Sequence, residues 1–341
     1  MFQKMFQTLF QALLNTLKHT RLLASLILSG LSVTSISANA TCGGAFCNLS
    51  TDWDSQGVAN KPGIRLDIRA EFIDLDELRH GTHKTKPAGE VDEHDEVRTI
   101  NRNFLATLDW NINPTWGVTF KVPMSDRSHT HIHNEDDGLG GVDPEVEKWD
   151  FSGLGDVQAI GRYRFYNEQS EHDTFSNAGL RFGVKLPTGT ISKKNSEGEL
   201  AERTLQPGTG SVDSLLGAYY NYRTGATTWF AQGMWQQSVH ERDDFKPGRK
   251  LNADVGFSYS ATPDLSLLLQ LNLQDKAKDS GVNAEPDDSG SRSVNLSPGF
   301  SYRVASGTQV YGFLQKPIYQ NVNGVQLTAD WSVAFGLNTT F

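Results

Sequence analysis

Between Ser128 and Gly138 the sequence reads SHTHIHNEDDG. Three imidazoles at every second position, followed at once by carboxylates, supply the nitrogen and oxygen donors that suit Zn²⁺ or Cu²⁺. In an extended segment His129, His131 and His133 would share one face, which makes them candidate metal ligands. A solvated acidic loop is the competing reading. The stretch RHGTHKTKPAGEVDEHDE, residues 79–96, repeats the composition. A second group is ionic: GIRLDIRAEF sets Arg65, Asp67, Arg69 and Glu71 at alternate positions. A third is the pair Cys42 and Cys47 in TCGGAFCNLS, the chain's two cysteines, expected to close a small disulfide loop in an oxidising compartment. Redox or metal-delivery chemistry is the alternative for that pair.

A catalytic site would need a nucleophile beside a histidine, or two carboxylates, held rigidly. His80, His83, His94, His129, His131, His133, His172 and His240 all fall in expected loops or turns, and none adjoins a serine in a nucleophile motif. No catalytic residue is assigned, no cofactor is expected, and the chain is read as a non-enzyme. A hydrolase built into a barrel wall is the weakest alternative.

The elements that would position these groups repeat one pattern. In GIRLDIRAEF the partners of the charges are Ile64, Leu66, Ile68, Ala70 and Phe72. Phe104, Ala106, Leu108, Trp110 and Ile112 alternate with polar residues in FLATLDWNI, and LTADWSVAFGLNTTF carries the same period of two to Phe341. Period two means strands with one apolar and one polar face. About twelve such segments follow one another. Short connections (NPT, RTGA, ATPD, ASG) alternate with long polar ones near 76–97, 125–150, 188–210, 237–250 and 275–291. Segments of about ten residues suit a tilted membrane strand. Trp110, Trp116, Tyr163, Phe165, Tyr222, Trp229, Tyr259 and Tyr302 lie beside the short turns, where an interfacial aromatic girdle belongs. The expectation is an all-β transmembrane antiparallel barrel of about twelve strands, with short periplasmic turns and long extracellular loops. A soluble β-sandwich is the alternative.

Residues 22–38, LLASLILSGLSVTSISA, follow Lys4, Lys18 and Arg21 and precede Ala38-Asn39-Ala40. That is the layout of a secretory signal peptide over 1–40. Its removal would shift the formal net charge from −9 to −12, which argues against nucleic acid as a partner. The expected organisation is 1–40 signal peptide, 41–62 periplasmic segment bearing the cysteine pair, and 63–341 barrel in the bacterial outer membrane; folding of the polar stretch NLSTDWDSQGVANKPG into the lumen is the alternative for the second part.

SGLGDVQAIGRYRF (152–165), GLRFGVKLPTGT (179–190) and LQPGTGSVDSLLG (205–217) resemble the outer-membrane transporter family named for the meta-pathway of phenol degradation. The resemblance implies a barrel that passes small, often aromatic or apolar, molecules. Phe341 on the closing strand resembles the C-terminal signal read by the barrel assembly machinery, so lipid, that machinery and a small solute are the expected partners.

The inward parity holds Arg65, Asp67, Arg69, Glu71, Lys121, Asp156, Arg162, Arg164, Arg181, Lys185, Asp254 and Asp330, the expected lumen lining. Interspersed Gln, Asn and Ser favour a water-filled pore. Charges paired across a closed lumen are the alternative.

Overall fold

The computed structural model describes residues 41–42, 46–57, 62–87, 89, 94–136, 141–169 and 174–341. The expected signal peptide lies outside them. The strands are β1 (Thr41–Cys42), β2 (Gly63–Gly81), β3 (His83–Lys84), β4 (His94–Asn111), β5 (Trp116–Asp136), β6 (Val142–Leu154), β7 (Gln158–Gln169), β8 (Thr174–Lys185), β9 (Val212–Thr224), β10 (Thr227–His240), β11 (Lys250–Ser260), β12 (Leu265–Lys276), β13 (Ser291–Ala305) and β14 (Thr308–Thr340). The order β14-β13-β12-β11-β10-β9-β8-β7-β5-β4-β2 closes on itself through β14 and β2. All neighbours in this ring are antiparallel.

Two details convert these elements into staves. β6 pairs the outer half of β5 and β7 its inner half, so β6 and β7 make one stave broken at 155–157. β14 folds back at Asn323–Gly324: residues 308–322 pair β13, and 325–340 pair β2. The limbs meet where Thr340 N donates to Gly307 O at 2.9 Å and where Thr308 and Thr339 hydroxyls lie 2.9 Å apart. Gly324 has φ +54°, and a Cβ there would stand 2.0 Å from Asp288 Oδ1, so the turn requires glycine. The barrel therefore has twelve staves, matching the expected count.

Its exterior is apolar and its interior polar. Ile64, Ile68, Phe104, Leu108, Trp229 and Phe335 are exposed, while Arg65, Asp67, Asn103, Asn177, Asn221 and Asn272 are buried. A protein folded against water would invert this, so the outer face is built for lipid. The belt has a visible upper edge. Beyond Phe72, Phe104 and Met124 the outer face carries ion pairs, Arg98–Asp74 with Nε–Oδ1 2.8 Å and Arg102–Asp126 at 3.0 Å. Ile64 to Phe72 is nine residues, in the range of about 9–11 for a tilted membrane strand.

Past that edge the long connections 76–97 and 125–150 differ from expectation. They are mostly strand: above the membrane β2 pairs β14 and β3, β4 pairs β5, and β5 pairs β6. The alternation of Ser-His-Thr-His-Ile-His explains this, because period two does not stop at the lipid boundary. His129, His131 and His133, expected in a loop, stand on β5.

Candidate functional site

The segment expected to hang in the periplasm is inside the barrel. Residues 46–57, FCNLSTDWDSQG, lie within the lumen, and Trp53 is 1% exposed. Upstream, Thr41 and Cys42 run parallel beside Gln326 and Leu327, near the extracellular turn of β14. The chain thus descends through the lumen before β2 begins. Its sequence has no period of two, so it cannot join the wall as a strand, but it is dense in groups that the polar lumen can bind.

Most of its polar residues meet the wall. Asp52 receives Lys121 Nζ at 2.7 Å and Arg181 Nη1 at 2.5 Å. Asp54 takes Arg162 Nη1 at 3.0 Å, Asn111 Nδ2 at 3.2 Å and Arg65 Nη1 at 3.5 Å. Trp53 Nε1 donates to Asp67 Oδ2 at 2.9 Å, while Tyr311 donates to the other oxygen of Asp67 at 2.9 Å and meets the Trp53 ring edge-on. Arg69 donates to Leu49 O and to Thr51 Oγ1, and pairs with Glu71 at 2.8 Å. Gln270 donates to Ser50 O and Asn221 to Ser55 O, each at 3.0 Å. The ladder of Arg65, Asp67, Arg69 and Glu71 therefore neutralises and holds an inner segment. The open water-filled path expected from the sequence is filled at this level.

Cys47 is a buried free thiol, with Sγ 3.3 Å from Ser332 Oγ, so the expected disulfide with Cys42 is not formed. The thiol packs in an apolar cluster with Leu49, Trp53, Ile73, Leu75, Phe313 and Leu327 instead. Two placements in that region also differ from the expected parity. Leu327, on the apolar parity of LTADWSVAFGLNTTF, is fully buried. Asp330, assigned to the lumen, is about half exposed near Lys84 at the outer rim, its side chain 48% accessible. The cause is a register shift between Ala329 and Ser332 on β14, which reverses the faces beyond it.

The three stretches of family resemblance converge on one cluster. Asp156 from the first, Lys185 and Gly189 from the second, and Thr209, Ser211 and Asp213 from the third form a buried network. Lys185 Nζ bonds Asp156 at 2.9 Å, Ser211 at 3.0 Å and Asp213 at 3.3 Å, and also the Thr209 hydroxyl. Asp156 in turn accepts from the Gly189 and Thr209 amides at 3.0 and 2.9 Å. The backbones of Gly189 and Gly208 touch: a Cβ on Gly189 would fall 2.5 Å from Gly208 Cα. These glycines allow the loop 186–211 to fold inward over the barrel mouth. Arg127 on β5 secures that loop by donating to Thr204 O and Leu205 O.

Between the inner segment below and this loop above lies a cavity of about 400 Å³. Its lining mixes Ile160, Leu215, Met234, Phe245, Pro123 and Pro207 with Lys121, Asp156, Lys185 and Asp254. The remaining expected lumen residue, Arg164, is buried with Nε 3.4 Å from Tyr219 Oη. Sequence reasoning missed Asn221 and the roles of Thr209 and Ser211. Their signal was present only as polar residues on the inward parity.

These features define a class: an outer-membrane β-barrel whose lumen is occupied by its own N-terminal segment. The chain belongs to the family described as "Putative MetA-pathway of phenol degradation", whose model matches residues 130–335. Among solved structures it is similar to the COG4313 outer membrane channel from Pseudomonas putida F1, with 13% identity, 83% of this chain and 97% of that one covered, and a TM-score of 0.58. The NanC porin covers 81% of this chain, over its own full length, at 11% identity and a TM-score of 0.41. The CymD monoaromatic hydrocarbon channel covers 87% of this chain and 94% of its own at 8% identity and a TM-score of 0.39. No curated protein matches the chain in sequence.

Proposed function

We propose that the protein is a non-enzymatic outer-membrane channel that admits small apolar or aromatic solutes. The observation that carries this reading is the roughly 400 Å³ cavity between the inner segment and the inward loop. It falls in the range of about 300–1,000 Å³ typical of small-molecule sites, and its apolar side chains would take one or two rings. Family membership and the fold shared with the Pseudomonas outer membrane channel support the channel reading. An ion pore is disfavoured, because ions crossing the middle of the barrel would have to break the Asp52 and Asp54 pairs.

In this reading the inner segment holds the lower lumen closed, and solute entering the upper cavity leaves by displacing it or by a gap in the wall. Where β13 meets β14 the register shifts between Val294 and Asn295, and a second cavity of about 90 Å³ there is lined by Ile73, Pro317, Leu327 and Trp331. Lipid surrounds the barrel. Its assembly is assigned to the barrel assembly machinery through the closing strand, whose Phe341 amide donates to Ile64 O at 2.8 Å.

The test is uptake of radiolabelled naphthalene by cells with an intact outer leaflet. Expression should raise the initial rate, and Leu215→Glu with Ile160→Glu should abolish the gain. Equal uptake with and without the protein would overturn the proposal.

A further inference from the structure

The hairpins above the membrane hold a second cluster, independent of the channel reading. In the register of β4 with β5, Glu96 faces His131 and Thr99 faces His129. Cross-strand partners have Cβ atoms about 4.5–5.5 Å apart, and residues two apart share a face. The fold therefore fixes Glu96, His129 and His131 side by side, and all three point inward and are buried.

We propose that Glu96, His129 and His131 form a binding site for a divalent transition metal, Zn²⁺ or Cu²⁺. One ligand atom from each lies within 4.8 Å of the others. His129 Nε2 and Glu96 Oε2 are 3.6 Å apart. Ligands bound at about 2.0–2.1 Å around a tetrahedral ion stand roughly 3.3–3.4 Å from one another. Small side-chain rotations bring the trio to that spacing.

The neighbours orient the donors as they do around bound metals. His129 Nδ1 is 2.8 Å from Thr99 Oγ1, which turns Nε2 toward Glu96. His131 Nε2 is 2.6 Å from Glu147 Oε2 on β6, a carboxylate–histidine pair in which the opposite nitrogen takes the metal. Trp149 packs on both rings, with centroids 4.6 Å from His131 and 5.8 Å from His129, and fixes their planes. Two imidazoles and one carboxylate select against Mg²⁺ and Ca²⁺, which take oxygen donors. His133, the third histidine expected from the sequence, stands apart: its Nδ1 is 3.9 Å from Glu147 Oε1 and its side chain is 30% accessible. Glu96 takes its place. A bound ion would clip β4 to β5 and, through Glu147, to β6, with the fourth position left to water or an exogenous ligand.

The test uses the full-length barrel in detergent, stripped with a chelator and titrated with ZnCl₂ by calorimetry, with heat-modifiable mobility as the folding control. Binding of about one equivalent is expected. His129→Gln and Glu96→Gln should each weaken it by about tenfold or more, and His133→Ala should leave it within about twofold. CuCl₂ should give an electron paramagnetic resonance spectrum split by two nitrogens, reduced to one in His129→Gln. If His129→Gln fails to fold, Glu96→Gln and the wild-type Cu²⁺ spectrum decide. No binding, binding unchanged in Glu96→Gln, or binding lost only in His133→Ala would overturn the site.

Discussion

Asp52 Oδ2 lies 2.5 Å from Nη1 of Arg181, although 129 residues separate them in the chain. The same carboxylate binds Lys121, so one residue of the inner segment pairs with two cations of the wall. Removing one partner of such a buried set leaves uncompensated charge and costs about 3–5 kcal/mol. Here the segment can undock instead of the barrel unfolding.

Asp52→Ala is therefore expected to raise and destabilise single-channel conductance in planar bilayers while the barrel keeps its heat-modifiable mobility. Conductance indistinguishable from wild type would mean that the segment is held by its other contacts alone.

Lys185 binds Asp156 and Asp213 as well as two hydroxyls. Lys185→Met would leave two buried carboxylates facing each other and should destabilise the barrel by about 3–5 kcal/mol. Thr209→Val removes a single hydroxyl from the network and should cost less, about 1–3 kcal/mol. Urea unfolding from bilayers measures both, and a larger loss for Thr209→Val would contradict the central position of Lys185.

Twelve staves and the lipid belt were legible in the sequence because both follow from a period of two. For the inner segment the sequence left lumen and periplasm open and named no partners. NLSTDWDSQG has no period, and its partners, from Asp67 to Tyr311, are chosen by tertiary approach. The parity of β2 was legible further than it was followed: in FIDLDEL the apolar residues change face after Phe72. Ile73 and Leu75 accordingly point inward, and Asp74 points outward to Arg98. Asp330 and Leu327 were misplaced because a bulge leaves no mark in composition. For the histidines, the sequence showed the shared face but could not show Glu96 opposite, which depends on register across two strands.

Leu108 is exposed on the lipid face and Gln270 is 1% exposed inside, bonded to Ser50 O and Asn272. Leu108→Arg should cost about 2–4 kcal/mol by placing charge in lipid. Parity alone would have Gln270→Arg tolerated, but its packing against the inner segment predicts a loss there too. Asn252, which lines the cavity, is the inward position where Arg should be accepted. Equal costs at Leu108 and Asn252 would refute the assignment of faces.

The last prediction concerns the loop 277–290, which folds over the turn of β14 through Asp288, bonded to the Val325 amide at 2.7 Å. Within it the Glu285 carboxyl is pushed up to about 9 by burial and by the carboxylates of Glu202, Asp288 and Asp279. A carboxyl raised above its unfolded value binds its proton more tightly when folded. Its stabilising share is complete below the unfolded value and is lost as pH rises through the folded one. The loop should therefore be held more firmly in mild acid than in alkali. Hydrogen-exchange protection factors across 277–290 should fall between about pH 5 and pH 9, and Glu285→Gln, which keeps the shape without the ionisation, should flatten that fall. The hairpins of β4 and β5 serve as the internal reference. Protection in 277–290 that rises with pH, or a slope unchanged in Glu285→Gln, would show that another group governs the loop.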